Sequence, residues 1–171
     1  MKSKGDLQLL RRQIQTWNDE HNDLFKIEEI ENDQFRGVIR FFSFDDNNKI
    51  QTKCIIATSL ESTYEILQAY IRKTDPTMFA SDFTVYTVFS NGGKNMLHLE
   101  YQLLDYTDCP LIKQISWVET AHDARFLIKR NRSLSRLRGK ENISTDEIES
   151  DMALNKTNFI LHPDGMISYK Q

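Results

Sequence analysis

Apolar residues recur at helical spacing near the start of the chain, and the positions between them are polar. The residues at this spacing are Leu7, Leu10, Ile14 and Trp17. Side chains three or four positions apart share one face of a helix, and Asp6 can cap the helix N-terminus. The pattern predicts an amphipathic N-terminal helix and a linker, which together form a first unit over residues 1–30.

Strand-like runs follow this unit. The runs 36–44 and 49–57 are rich in β-branched and aromatic residues, and the turn-forming sequence DDNN joins them. They therefore predict an antiparallel hairpin. The runs 83–90 and 96–101 predict a second hairpin, and 125–130 predicts a last strand.

One helix lies between the two predicted hairpins. Ser62 and Glu65 form a Ser-x-x-Glu capping box directly before an apolar stripe, which marks a helix start. Residues 102–124 show no clear period and are interpreted as irregular. The order β-β-α-β-β-β predicts a two-layer α+β domain over residues 31–131, with one main helix on a mixed sheet.

The remaining residues, 132–171, differ from the preceding domain because they are polar and lack a strong apolar stripe. This composition predicts a flexible tail, with a terminal hairpin around Pro163-Asp164-Gly165. Ser133 and Ser135 each lie three residues after an arginine, a spacing that basophilic kinases accept. We therefore expect phosphorylation there to offset the nearby basic charge.

The overall composition excludes several classes of protein. The chain has 171 residues and a formal net charge of −3, which argues against bulk attraction to nucleic acid or to an acidic membrane surface. Cys54 and Cys109 are too few to build a disulfide framework or a four-ligand zinc site, and they are expected to be small buried residues. No run reaches membrane-spanning length, and the N-terminus lacks a signal-peptide core. We expect a soluble cytoplasmic protein without direct membrane insertion.

No pattern in the sequence indicates catalysis. The four histidines lack metal-ligand spacing, and G-x-S-x-G, P-loop and G-x-G-x-x-G motifs are absent. Nothing assembles a nucleophile, a base and an oxyanion donor. We expect a protein that is not an enzyme and that needs no cofactor.

The run QTKCIIATS places Lys53 inside a strand-like apolar segment. An unpaired ammonium is too costly to bury, whereas lysine is common on exposed sheet edges, where it discourages unwanted pairing. Other cations lie on the same hairpin and on the following helix: Arg36, Arg40, Lys49, Arg72 and Lys73. Two interpretations stay open, namely a solvated face and a docking edge for an acidic partner strand.

Several segments together resemble a known family. They are WNDEHNDLFKIEEIENDQFRGVIRFFSF, QTKCIIATS, VYTVF, Cys109-Pro110-Leu111 and Arg125-Phe126-Leu127. In this order and spacing, over roughly residues 7–131, the chain resembles the first Ras-association domain of the afadin/canoe family. The resemblance implies a ubiquitin-like β-grasp fold that binds GTP-loaded small GTPases of the Ras and Rap type. In such domains the second strand pairs with a strand of the GTPase beside its switch I region.

The resemblance also implies which residues contact the partner. By position, Arg40, Lys53 and Lys73 would meet acidic switch I residues, with Lys53 projecting toward the carboxylates and Cys54 pointing into the core. The full candidate set is Arg36, Arg40, Gln51, Thr52, Lys53, Ile55, Arg72 and Lys73. Arg11 and Arg12 of the leading helix are additional candidates.

One departure from the family pattern leaves an alternative open. Ile56 stands where the afadin pattern has an arginine, so a ubiquitin-like scaffold that binds a non-GTPase junctional or cytoskeletal protein remains a second hypothesis. Complete afadin-type proteins are longer adaptors of cell junctions and actin. We accordingly expect a fragment or truncated form that is monomeric in isolation, cytoplasmic, and recruited to cell–cell junctions or the inner face of the plasma membrane.

Overall fold

A computed structural model of the chain describes residues 4–45, 47, 49–93, 96–120, 123–131, 159–161 and 167–169. The helices are α1 (Lys4–Glu20), α2 (Thr63–Thr74) and α3 (Pro110–Ser116). The strands are β1 (Glu28–Glu29), β2 (Phe35–Phe44), β3 (Ile50–Thr58), β4 (Phe83–Gly93), β5 (Met96–Leu104), β6 (Asp123–Arg130), β7 (Phe159–Leu161) and β8 (Ile167–Tyr169).

The main sheet is mixed, with the order β3-β2-β6-β4-β5. The β2–β6 pair is parallel, and the β2–β3, β4–β5 and β4–β6 pairs are antiparallel. Arg36 of β2 faces Glu28 of β1 on one side and Thr58 of β3 on the other, so β1 and β3 flank opposite sides of β2. This topology confirms the predicted α+β ubiquitin-like fold, and the N-terminal helix is also present.

The core lies on the face of the sheet that the helices cover. Helix α2 begins as predicted, since the Ser62 backbone N–H donates to Glu65 Oε2 at 2.7 Å and the Glu65 N–H donates to Ser62 Oγ. The largest fully buried side chains include Phe35, Ile39, Phe41, Ile66, Leu67, Leu111 and Phe126. The apolar face of α1 joins the same core through Leu10, Ile14 and Trp17. The N-terminal helix is therefore packed onto the domain, against α3.

The prediction that residues 102–124 are irregular was wrong. Strand β5 continues to Leu104, α3 begins at Pro110, and β6 already begins at Asp123. Helix α3 has only seven residues, too few to show a helical period, and proline at its first position is favoured there because its missing N–H needs no partner. Burial of Leu111 and Ile115 against the sheet holds this short helix in place.

The C-terminal strands form a sheet of their own. Strand β7 pairs antiparallel with β8, at the place of the predicted terminal hairpin. The predicted turn at residues 163–165 and the serines at 133 and 135 lie outside the described residues. Most of the tail 132–171, for which flexibility was expected, also lies outside them. Within the described residues, no helix is both long enough and apolar enough to cross a membrane.

Candidate functional site

Strand β3 is an edge strand, as the lysine inside it predicts. All nine of its residues pair with β2 in one continuous antiparallel register, from Phe44 opposite Ile50 to Arg36 opposite Thr58. Its other side carries no strand in the part of the chain that the structure describes. A row of backbone donors and acceptors is therefore open to a strand from another molecule.

The ends of the β2–β3 ladder show which backbone groups face outward. The Ser59 N–H donates to the Phe35 carbonyl oxygen at 2.8 Å, and the Asp45 N–H donates to the Lys49 carbonyl oxygen at 3.0 Å. Hydrogen-bonded and non-hydrogen-bonded pairs alternate along an antiparallel ladder, so the odd-numbered residues of β3 bond to β2. The residues whose N–H and C=O point toward the open edge are Thr52, Cys54 and Ile56.

The side chains of β3 alternate in the opposite sense to our expectation. Ile55 is 2% exposed on the helix-covered face, and Lys53 is half-buried on that same face, opposite Phe41. Cys54 is exposed on the other face, the outer face, opposite Arg40. The expectation that Cys54 points into the core and that Lys53 projects away from it was therefore wrong.

The physical reason lies in the sequence of the strand itself. Four consecutive apolar residues, CIIA at 54–57, show no alternation from which the buried face can be inferred. The long aliphatic stem of lysine can lie along apolar surface while the ammonium reaches water. Lys53 is accordingly tolerated on the helix-covered face at the border of the sheet.

The two central cations lie on opposite faces of the same border. Arg40 is exposed on the outer face, and its guanidinium carbon lies 4.4 Å from the centroid of the Phe25 ring. Lys53 lies on the neighbouring strand but projects to the helix-covered face. A strand added to β3 would thus meet one cation on each side of the extended sheet. The contact between Phe25 and Arg40 could not be inferred from the sequence.

The two basic residues at the end of α2 point in different directions. Arg72 lines a groove of about 340 Å³ between α2 and the segment 76–81. Lys73 follows Ile66 by seven residues and Ala69 by four, so it lies on the flank of α2 away from this groove. Helix α2 packs against β3. Of the two, Lys73 therefore shares the helix-covered face with Lys53.

Two other candidate cations are engaged within the chain. Arg36 Nη2 lies 2.9 Å from Glu28 Oε2. Arg11 Nη2 lies 2.6 Å from Glu29 Oε1 and 2.7 Å from Asp33 Oδ1. The hydrogen bonds from Arg11 hold the pKa of Glu29 below its ordinary value. Both arginines already have carboxylate partners, which reduces the charge that they offer to a partner protein.

The remaining candidates are Gln51, Thr52, Ile55 and Arg12. Ile55 is buried, and its backbone bonds to β2, so the structure does not offer it to a partner. Gln51 and Thr52 are exposed on β3, and the side-chain amide of Gln51 is 3.5 Å from Asp45 Oδ2. Arg12 is exposed on α1, where its carbonyl accepts a hydrogen bond from Thr16 Oγ1. No described contact brings Arg12 to β3. Ile56, which was not among the candidates, is 67% exposed on the outer face of the edge.

The described side chains offer cations and free backbone groups at this edge. Among them there is no group of three or more histidine, cysteine or carboxylate residues that could hold a metal ion. The arrangement can extend the sheet by one strand and attract carboxylates from both faces of that strand.

Comparison with protein-family models identifies the part of the chain that contains the open edge. The family model described as Ras association (RalGDS/AF-6) domain matches residues 35–133, a range that begins with β2 and includes the whole open edge. Among solved structures, the Rasip1 RA domain is similar to this chain with 22% identity and a TM-score of 0.41, and the match covers 60% of this chain and 94% of that one. Because the family model covers more than half of the 171 residues, the chain belongs to the Ras association domain family, whose members bind small GTPases of the Ras family.

Proposed function

We propose that this domain binds the GTP-loaded form of a Ras- or Rap-type GTPase by adding a GTPase strand to the open edge of β3. The observation that carries the proposal is the unpaired side of β3, with outward-facing backbone groups at Thr52, Cys54 and Ile56. Main-chain hydrogen bonds along such an edge supply affinity, and side chains on both faces supply register and specificity.

The charges at the edge suit an acidic partner strand. Lys53 and Lys73 present ammonium groups from the helix-covered face, while Arg40 presents a guanidinium from the outer face. Each exposed ion pair contributes only about 0–1 kcal/mol, so the cations act mainly by steering the encounter and by selecting the register of the added strand. The protein has a net charge of −3, so attraction of an acidic partner depends on local cations such as these and not on the overall charge.

The proposal also covers the subfamily of the domain, its adaptor role and its location in the cell. The segments that resemble the first Ras-association domain of the afadin/canoe family, taken with the open edge, support an adaptor role at cell junctions or actin, without catalysis. The domain would work in the cytoplasm and reach cell–cell junctions or the inner face of the plasma membrane through its GTPase. We propose that it is monomeric when isolated.

Ile56 favours a second candidate function. Its side chain is 67% exposed and its own backbone N–H and C=O point toward the open edge, at the position where the afadin pattern has an arginine. An exposed isoleucine at the edge suits a partner strand with an apolar side chain, so a scaffold that binds a non-GTPase junctional or cytoskeletal protein is the alternative. A pull-down that recovers a stable non-GTPase partner and no GTPase would favour this alternative.

The main proposal is tested by calorimetric titration of the full chain with Ras and Rap, each loaded with GDP or with a GTP analogue. We expect binding only to the GTP-analogue form, and a loss of roughly tenfold or more with Lys53→Glu, because an attraction becomes a repulsion beside the added strand. Lys4→Glu is the matched control, since it makes the same charge change on an exposed position of α1.

Two results would contradict the proposal. Equal affinity for the GDP and GTP-analogue forms would remove recognition of the nucleotide state. Equal losses with Lys53→Glu and Lys4→Glu would show that only overall charge matters, and would move the site away from β3.

A further inference from the structure

Arg40 has an unusual environment for an exposed arginine. Its guanidinium carbon lies over the ring of Phe25, 4.4 Å from the ring centroid, and no carboxylate forms an ion pair with it among the described residues. A guanidinium has five N–H donors, so contact with one aromatic ring leaves donors available for a carboxylate. Arg36, the other cation on the outer face of β2, is instead paired with Glu28.

Helix α1 holds Phe25 in this position. Phe25 ends a short 3-10 turn (Asp23–Phe25), and its carbonyl oxygen accepts a hydrogen bond from Trp17 Nε1 at 2.8 Å. Two residues further on, the Asn18 side chain donates to the Ile27 carbonyl at 2.9 Å and accepts from the Ile27 N–H at 2.7 Å. Trp17 and Ile27 are both buried. The backbone around Phe25 is thus fixed to α1 at its own carbonyl and again two residues downstream.

We infer that Phe25 is a positioning residue for partner binding, which holds Arg40 in place on the outer face and so couples α1 to the binding edge. The inference rests on the proposed function and concerns the same edge. It assigns α1 an indirect role, whereas the sequence suggested direct contacts from Arg11 and Arg12. The order of coupling is Trp17 to Phe25 to Arg40, and then to the carboxylate of the partner.

The expected size of the effect follows from side-chain entropy. Ordering a rotamer-rich side chain at an interface costs about 0.5–1.5 kcal/mol, which corresponds to an affinity change of about 2- to 13-fold. An arginine already held by an aromatic ring loses less freedom on binding. A Phe25→Leu variant keeps an apolar side chain in the turn but removes the ring that holds the guanidinium.

The experiment compares Phe25→Leu, Phe25→Tyr and Arg40→Ala with the wild-type full chain, by calorimetric titration with the GTP-analogue form of Ras and of Rap. We expect Phe25→Leu to weaken binding by about 2- to 13-fold, and Phe25→Tyr to restore it, because tyrosine also offers an aromatic face. Phe79→Leu is the matched control, because Phe79 is 59% exposed and lies beside the groove next to α2, away from β3.

The double variant separates positioning from a merely structural role. In an Arg40→Ala background, we expect Phe25→Leu to change the affinity no further, because the side chain that Phe25 holds is gone. In the free protein, the Arg40 side-chain protons should show ring-current shifts by NMR that disappear in Phe25→Leu. Thermal unfolding of every variant reports any loss of folding.

The outcomes separate this inference from the function beneath it. Undiminished binding by Phe25→Leu, or the same loss with and without Arg40, would overturn the positioning role while leaving the GTPase partner in place. Failure of the wild-type chain to bind either GTPase would overturn the proposed function, and the positioning role with it.

Discussion

Proline at position 54 would remove a backbone N–H that points away from β2. Because the hydrogen-bonded pairs of the β2–β3 ladder are the odd-numbered ones, the Cys54 N–H has no strand partner within the described part of the chain. Proline is tolerated in edge strands when its missing N–H would face solvent. We therefore expect Cys54→Pro to fold, whereas Ile55→Pro would lose a ladder hydrogen bond and the packing of a buried side chain.

The magnitudes follow from the same geometry. In the complex, Cys54→Pro would leave one carbonyl of the partner strand without a donor, at a cost of about 1–3 kcal/mol, which corresponds to roughly 5- to 160-fold in affinity. In the free protein, Ile55→Pro would cost about 1–3 kcal/mol for the unsatisfied carbonyl of β2. The lost packing of an isoleucine that is 2% exposed would add about 2–5 kcal/mol.

The assay pairs urea denaturation with calorimetric titration against the GTP-analogue form of Ras or Rap. Cys54→Ala serves as the reference for loss of the thiol, so that the difference between the alanine and proline variants isolates the N–H. Strand addition at this edge would be refuted if the proline and alanine variants bound equally well. The assignment of the odd-numbered residues of β3 as those that bond to β2 would be wrong if Cys54→Pro destabilised the fold as much as Ile55→Pro.

Two further predictions concern stability alone. Gly37→Ala should destabilise the domain by about 1–3 kcal/mol in urea denaturation, because the new Cβ would lie 2.9 Å from Ile27 Cγ1 and 3.1 Å from Leu111 Cδ1. An unchanged urea midpoint would show that these two side chains move to accommodate the methyl group. Glu29→Gln should destabilise the domain at neutral pH, because Arg11 lowers the pKa of Glu29 below its ordinary value of 4.5. A carboxyl group with a depressed pKa in the folded state stabilises above its ordinary pKa, and this contribution is lost as the pH falls through the folded value. The difference in the free energy of unfolding between wild type and Glu29→Gln should therefore be smaller in acid than at neutral pH. A difference of equal size at both pH values would contradict this prediction.

The sequence predicted those elements whose signals are local. The capping box at Ser62 and Glu65 marks the start of α2, and it is formed as expected. The strand-like runs that became β2 and β3 have boundaries within a residue of those predicted. The lysine at position 53 correctly indicated an edge strand, because a buried ammonium excludes a central strand whatever the rest of the fold is.

Short or non-periodic segments could not be predicted from the sequence, because they carry no local signal of their own. Helix α3 has seven residues, and its existence depends on burial against α1 and β2 rather than on its own propensity. The run at 54–57 has no alternation, so the face that it buries is set only when helices cover one side of the sheet. Cys54 is exposed and Lys53 half-buried for that reason.

The composition and order of the elements thus determined the fold class, the open edge and the presence of cations near it. Tertiary structure alone decided which cations remain available. Arg11 meets Glu29 and Asp33 because a turn brings β1 beside α1, and Arg40 meets Phe25 because α1 fixes the linker beside β2. Contacts between residues far apart in the chain depend on packing, and no local pattern of hydrophobic and polar positions encodes them.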